Sequence, residues 1–263
     1  MNRDSIATKF AGRGALVTAG ASGIGLTIAE TLCEQGASIA VCDLPGPSLE
    51  ALRASRPDWL VYAADVSNEL EISGLYDEID NRMPEFRVLV NNAGIAGPTA
   101  RVEDVTVAEW HRTLEVNLFG MFLCTRFAVP RLRAAGGGAI INLSSSAGRF
   151  GFPLRSPYAA SKWGVVGFTK SLAIELGPDQ ITANAVLPGL VAGDRLEAVI
   201  AARALQAGRT VEAQRELMFE RVAMRSSVAS GEIAATIAFL AGHDARHITG
   251  EAISVDAGLL SLT

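Results

Sequence analysis

An α/β fold, one doubly wound parallel sheet flanked by helices on both faces, is predicted by three observations. Short β-branched runs alternate with longer segments of helical spacing along the whole chain. Hydrophobic residues make up 49% of the 263 but aromatics only 6%, a balance that suits small, branched strands buried on both sides. No Pro-, Gly- or Ser-rich linker and no internal repeat divides the chain, so residues 1–263 are expected to form a single domain. The repeated strand–helix order requires right-handed crossovers.

The elements follow in order. Ala15–Thr18 reads as the first strand, and Ile24–Gln35 as the helix after a glycine-rich turn. The strand Ser38–Cys42 and a helix at Leu49–Ala54 come next, then the strand Trp59–Ala63 and the helix Glu69–Arg82. Val88–Val90, Ala139–Leu143 and Ile181–Val186 are further strands, each a short apolar run bounded by turn residues. Between them one long helix is expected over Val107–Ala134 and another over Tyr158–Leu176. From Pro188 to Ser227 no strand pattern appears. Glu197–Ala207 and Val211–Arg221 alternate charged and apolar residues at helical spacing before a buried helix, Glu232–Leu240. Such an excursion, at about 190–227, is expected to be a substrate lid.

Composition narrows the function classes. The net charge is −5 and no Lys/Arg run occurs, against a nucleic-acid partner. No uncharged apolar stretch is long enough to span a bilayer, and Met1–Phe10 lacks the apolar core of a secretory signal. Cys33, Cys42 and Cys124 lie in apolar contexts without metal-ligand spacing. Reduced, buried thiols of a cytoplasmic protein are expected, with no metal. His111, His243 and His247 form no cluster, and helix-surface or turn positions are expected for them.

The turn Gly20-Ala21-Ser22-Gly23-Ile24-Gly25 stands between a strand and a helix. In that context glycines let the backbone approach a pyrophosphate, and the helix N-terminus offers unpaired N–H groups and a positive dipole end. The fold is then Rossmann-type. Asp43 closes the second strand, where a carboxylate accepts hydrogen bonds from ribose hydroxyls and repels a 2′-phosphate. Ser22 brings no positive charge for such a phosphate, so NAD is expected rather than NADP. Asp65 closes the third strand and is a candidate for the adenine edge. Asn91-Asn92-Ala93-Gly94 closes the fourth.

Tyr158 and Lys162 are four residues apart, which on a helix puts them on one face. A free phenol titrates near 10, and a neighbouring ammonium favours the phenolate, so the pair suits a general acid/base. Ser145 follows the strand Ala139–Leu143, where a hydroxyl can hold a substrate oxygen; Ser144 and Ser146 are rivals by composition. Asn117 interrupts the apolar face of its helix and is expected to anchor a water chain to Lys162.

Taken together, Thr18, Gly23-Ile24-Gly25, Asp65, Asn91-Asn92-Ala93-Gly94, Asn117, Ser145, Tyr158-x-x-x-Lys162, Asn184, Pro188-Gly189, Ile248-Thr249-Gly250 and Val255-Asp256 resemble the short-chain dehydrogenase/reductase family over nearly the whole chain. The resemblance implies that Tyr158 is the catalytic acid/base, that Lys162 holds the nicotinamide ribose and that Asn117 supports a proton relay. It selects Ser145, three before Gly148, to position the reacting oxygen. Cofactor contacts are implied at Gly20, Ser22, Gly23, Ile24, Gly25, Asp43, Leu44, Asp65, Val66, Asn92, Ala93, Gly94, Tyr158, Lys162, Pro188 and Gly189. A terminal strand near Ala252–Val255 and a homotetramer joined through the two long helices and the C-terminal region are also implied.

The sequence departs from the family pattern twice. Ala19 stands where the first glycine of Thr-Gly-x-x-x-Gly-x-Gly is usual, and the turn is expected to keep its path with φ below zero there. The Thr of Pro-Gly-x-x-x-Thr is missing after Pro188-Gly189, which leaves the carboxamide contact to the Val191 backbone. The expected activity is NAD-dependent interconversion of a secondary alcohol and its ketone. An NADP-dependent ketone or 3-oxoacyl reductase and a silent cofactor-binding scaffold are the alternatives. The substrate stays open among polyols, sugars, hydroxy acids, oxoacyl esters and diols. Arg149, Arg155, Arg195 and Arg203 are candidates for pairing an anionic group, solvated charges being the simpler reading. Trp163 is expected to serve helix packing.

Overall fold

The computed structural model describes residues 9–83 and 85–262; the leader reading of Met1–Phe10 falls largely outside them, as does the Arg195 side chain. Strands β1 (Gly14–Thr18), β2 (Ser38–Asp43), β3 (Leu60–Ala63), β4 (Phe86–Asn91), β5 (Gly138–Leu143), β6 (Ile181–Pro188) and β7 (Ala252–Val255) form one sheet. Its order is β3-β2-β1-β4-β5-β6-β7, with every neighbouring pair parallel. The chain winds outward from β1 to β3 and then returns to lay β4 on the other side of β1. That reversal opens a crevice at the carboxyl ends of β1 and β4, the usual ligand position in such sheets.

The helices are α1 (Gly23–Glu34), α2 (Pro47–Ser55), α3 (Glu69–Arg82), α4 (Val107–Leu114), α5 (Gly120–Ala134), α6 (Ser156–Leu176), α7 (Asp194–Gln206), α8 (Val211–Phe219) and α9 (Ser230–Leu240). Strand side chains alternate between the faces. Ala15, Val17, Val41, Val90 and Ile141 pack with Ile28 and Leu32 of α1, Leu49 of α2 and Ile237 of α9. Leu16, Ala40, Leu89 and Ile140 pack with Leu75 and Tyr76 of α3, Leu132 of α5 and Leu172 of α6. Both faces are dry, which is why the strands read as unbroken apolar runs. Burying a side chain such as Leu16 or Ile141 contributes about 1.5–3 kcal/mol.

Three expectations are corrected. The helix expected over Val107–Ala134 is broken by a π turn, Glu115–Phe119, in which the Gly120 amide donates back to the Glu115 carbonyl. Gly120 then passes so close to Val66 that a Cβ would lie 2.7 Å from Val66 Cγ2; the register shift and the glycine belong together. Trp163 is 52% exposed and does not serve core packing. Cys42 and Cys124 are buried, but Cys33 is partly exposed.

The excursion after β6 carries a small core of its own, Leu196 and Ile200 of α7 against Met218 of α8. Its base is pinched where Val228 N donates to Leu190 O (2.8 Å) and Ala192 N to Val228 O (2.9 Å). Its far end is tied to the C-terminal segment by Ala223 N to Gly258 O (3.0 Å) and Leu260 N to Arg221 O (2.8 Å). Among the described residues no helix is long and apolar enough to cross a membrane.

Candidate active site

The glycine-rich turn leaves β1 through Ala19, whose φ is +50°. This corrects the expected negative φ: the path is the left-handed one that glycine takes freely, and the Cβ is carried at a cost of about 1 kcal/mol. Close packing explains the next glycines. A Cβ on Gly20 would lie 2.9 Å from both Val41 methyls, and one on Gly25 would run into the Ala19 carbonyl and sit 2.6 Å from Asn92 Nδ2. Gly23 has φ +55° with open space where a Cβ would be.

The start of α1 is left uncapped. Ser22 makes no side-chain cap bond, the first turn holds no acid, and the first intrahelical amide donor is Leu26, to Ser22 O at 3.2 Å. The amides of Gly23, Ile24 and Gly25 are therefore without helical acceptors. An uncapped N-terminus with open space over Gly23 fits a pyrophosphate. Asp43 braces this turn: its carboxylate accepts from Ala21 N (3.0 Å) and Leu44 N (2.8 Å).

Thr18 stitches β1 to β4. Its buried Oγ1 accepts from Asn92 N and Ala93 N, both at 2.9 Å. Asn92 Nδ2 returns bonds to Thr18 O and Ala19 O, both at 3.0 Å. The sequence offered Thr18 only as a matching residue and gave it no role. Asp65 proves to be anchored elsewhere, since its carboxylate accepts from Ser67 and from Arg112 Nη2 at 2.8 Å. Partial burial works against its charge, but the bonds from Ser67 and Arg112 prevail and hold its carboxyl below the usual carboxylate value. Val66, beside it, packs on Gly120.

Next to this crevice the chemical residues converge. Lys162 is 4% exposed; its Nζ donates to Leu143 O at 2.8 Å and lies 5.7 Å from the Tyr158 ring centroid. A Cβ on Gly94 would sit 3.2 Å from Asn117 Oδ1 and 3.4 Å from Lys162 Nζ, so the end of β4, the π turn and α6 meet at one point. Asn117 is fully buried. Its amide accepts from Ile95 N (2.7 Å) and donates to Ile95 O and Ser161 Oγ (both 3.0 Å). Ser161, which the sequence reading missed, donates its own hydroxyl hydrogen bond to the Tyr158 backbone carbonyl at 2.7 Å; a small polar residue between Tyr158 and Lys162 was the available signal.

The three serines separate cleanly. Ser144 Oγ donates to Lys162 O (2.8 Å) and Ser146 Oγ to Pro188 O (3.1 Å), both buried. Ser145 is partly exposed and its Oγ only accepts, from Ala147 N at 3.1 Å, leaving its proton available. The tyrosines separate too. Tyr76 is fully buried and donates to Cys124 O at 2.8 Å, and burial pushes its phenol well above the ordinary value; Tyr158 is half-buried. Burial, with Asp43 beside it, likewise pushes the Cys42 thiol up to about 12, so no reactive thiol borders the crevice there. Gly189 backs against Asp256, where a Cβ would lie 2.7 Å from its Cα, and Val191 bridges to Val228.

The candidate arginines part company. Arg149 is exposed and turns to Ser254 Oγ (3.2 Å) and Asp256 (3.8 Å). Arg155 donates to Ala96 O (2.8 Å) and Thr99 (3.2 Å) and stacks over the Tyr158 ring at 5.4 Å. Arg203 stacks over Phe152 at 5.3 Å, and Phe152 meets Tyr158 edge to face at 6.4 Å. No group of three or more His, Cys, Asp or Glu is placed to hold a metal among the described residues.

A family model described as enoyl-(acyl carrier protein) reductase matches residues 18–260. D-beta-hydroxybutyrate dehydrogenase of Rhizobium meliloti is 34% identical over 251 residues, 93% of this chain and 97% of that protein. A 3-oxoacyl-acyl-carrier-protein reductase of Staphylococcus aureus is 34% identical over 253 residues, 94% of this chain and 98% of its own. The crystal structure of an NAD+-bound xylitol dehydrogenase superposes with a TM-score of 0.89 at 30% identity, over 95% of this chain and all of that one. Similarity along the full length of these oxidoreductases, on the same fold, places the chain in the short-chain dehydrogenase/reductase family.

Proposed function

We propose that the protein is an NAD-dependent oxidoreductase that interconverts a secondary alcohol and its ketone, with Tyr158 as the acid/base. The observation that carries this reading is the buried Lys162 ammonium, 5.7 Å from the centroid of the half-buried Tyr158 ring, beside the uncapped start of α1. In the oxidative direction Ser145 donates a hydrogen bond to the substrate oxygen and Tyr158 removes its proton. The Lys162 ammonium stands beside the ring that does so. Asn117 fixes the Ile95 backbone and, through Ser161, the first turn of α6, and so supports the exit path for that proton. NAD, when bound, supplies the hydride acceptor.

The turn at Gly20, Ser22, Gly23, Ile24 and Gly25 would hold the pyrophosphate. Asp43 and Leu44 would take the adenosine ribose, Asp65 and Val66 the adenine side, and Asn92, Ala93, Gly94, Pro188, Gly189 and Val191 the nicotinamide half. The Asp43 carboxylate, aimed back at the turn, repels a 2′-phosphate and so supports NAD over NADP; the NAD+-bound neighbour supports the same choice. The S. aureus relative, a 3-oxoacyl-acyl-carrier-protein reductase by name, favours the second reading, a ketone or 3-oxoacyl reductase. Residues 190–227 act as the substrate lid on a single domain. Exposed Phe119 and Phe122 near one long helix, and Trp163 and Ile174 on the other, support a homotetramer. The three free cysteines support a cytoplasmic setting.

Fluorescence titration with NADH and NADPH side by side tests the reading. NADH binding at least tenfold tighter supports it. Tighter NADPH binding overturns the Asp43 argument and moves the assignment to ketone reduction.

A further inference from the structure

Between the loop at 153–155, α7 and α8 lies a cleft of about 590 Å³. Its charge is one-sided: Arg155, Arg203, Arg209 and Arg221 line it, and its lining includes no Asp, Glu, Lys or His. This is out of character for a chain of net charge −5, in which many other arginines pair with acids, as Arg112 does with Asp65, Arg126 with Glu69, Arg131 with Asp80 and Arg133 with Asp179. Arg203, Arg209 and Arg221 form no ion pair with any described residue. Arg203 is only partly exposed, its guanidinium over the Phe152 ring at 5.3 Å.

We propose that this cleft is a carboxylate-binding subsite, in which Arg203, flanked by Arg155 and Arg221, takes the anionic end of a hydroxy-acid substrate whose alcohol reaches Tyr158. The inference rests on the dehydrogenase reading above and names the substrate class of that same site.

A chain of ring contacts leads from the cleft toward Tyr158, which is not itself a lining residue. Arg203 stacks on Phe152, and Phe152 meets Tyr158 edge to face, so two ring-contact spans at most separate the cation from the phenol's ring. Arg155 covers both rings, at 5.5 Å from Phe152 and 5.4 Å from Tyr158. A guanidinium fork matches a carboxylate with two parallel bonds. Burial first, and then the neighbouring Arg221 charge, weaken the hold of Arg203 on its own proton; a desolvated cation beside a like charge is unfavourable until a counter-ion arrives. Leu190, Val199, Met218 and Leu259 supply apolar wall and Thr99, Gln206, Gln214 and Ser261 polar wall, so the body joining carboxylate to alcohol meets both.

The test compares 3-hydroxybutyrate and 4-hydroxycyclohexanecarboxylate with their methyl esters, using NAD and the full chain. The subsite predicts at least one acid favoured over its ester by about 30-fold in kcat/KM. Arg203→Met then raises the KM for that acid about 10- to 100-fold, with a smaller change in kcat, and acid–ester discrimination collapses to within about threefold. Arg221→Gln, on an exposed side chain, gives a smaller rise of the same sign and covers the case in which Arg203→Met does not fold. NADH titration of each variant reports separately whether the cofactor site persists. Turnover of esters at least as good as that of acids, or an acid KM within twofold of wild type in both variants, overturns the subsite and leaves the dehydrogenase reading standing. Tight NADH binding with no turnover of any alcohol or ketone overturns both.

Discussion

Thr18 carries more of the cofactor crevice than its size suggests, and Thr18→Val isolates that contribution. The side chain is 1% exposed, and valine has nearly its shape, so packing changes little. The lost hydroxyl accepts from two backbone amides, Asn92 N and Ala93 N, both at 2.9 Å; its own bond to Val90 O, at 3.5 Å, is marginal. Asn92 N keeps a second acceptor, Val90 O at 3.1 Å, so only Ala93 N is left without one, and the variant is expected to lose about 1–2 kcal/mol. For a chain of this size that lowers the thermal midpoint by roughly 3–6 °C. Asn92 Nδ2 still ties Thr18 O and Ala19 O, so the crevice survives, with NADH affinity weakened severalfold. Thr18→Ser, which keeps the acceptor, is the control. If Thr18→Val melts within about 2 °C of wild type while Thr18→Ser falls further, the methyl and not the two amides stabilises the junction, and the reasoning is refuted.

Three other variants test separate parts of the account. Ala19→Gly releases about 1 kcal/mol of left-handed strain at φ +50° and loses about as much to the freer unfolded chain; thermal unfolding is expected within about 1 kcal/mol of wild type, and a larger loss contradicts the strain. Asp43→Ser removes the carboxylate proposed to take the ribose, and parallel titrations are expected to show the NADH preference reduced at least tenfold; an unchanged preference contradicts that proposed role. Arg112→Met removes the partner of Asp65. The Asp65 carboxyl lies below its ordinary value, so its contribution is present above the unfolded value near 4 and is lost as pH falls through the folded one. Arg112 is 44% exposed, and screening limits the cost to less than about 1 kcal/mol at pH 7. The gap in urea midpoint is expected to close as pH falls below the ordinary carboxylate range, and a gap that widens there contradicts the ion pair.

The sheet was legible because parallel strands buried on both faces must be apolar on both, and the runs around Leu16, Val41, Leu89 and Ile140 allow little else. Tyr158, Lys162 and the glycine turn were legible because helical spacing and strand–turn–helix context act locally. What escaped depends on distant partners. The π turn at Glu115–Phe119 follows from the approach of Gly120 to Val66, some fifty positions away, and leaves no local mark. The Asp65–Arg112 pair and the Asn117–Ser161 bond join separate elements in the same way. At Ala19 the residue type argued for a negative φ, but the stitching of Thr18 and Asn92 fixes the path and the Cβ is tolerated there. Arg203 looked like one lid charge among several, and only the fold sets it against Phe152.

Tyr158→Phe tests the central claim most directly, because it removes one hydroxyl and leaves the ring contacts with Phe152, Arg155 and Lys162. With a turned-over alcohol and NAD, the account predicts a fall in kcat of about 10²–10⁴-fold, with the NADH dissociation constant within about threefold of wild type. Turnover close to wild type, with NADH bound as before, would contradict Tyr158 as the acid/base and the mechanism built on it.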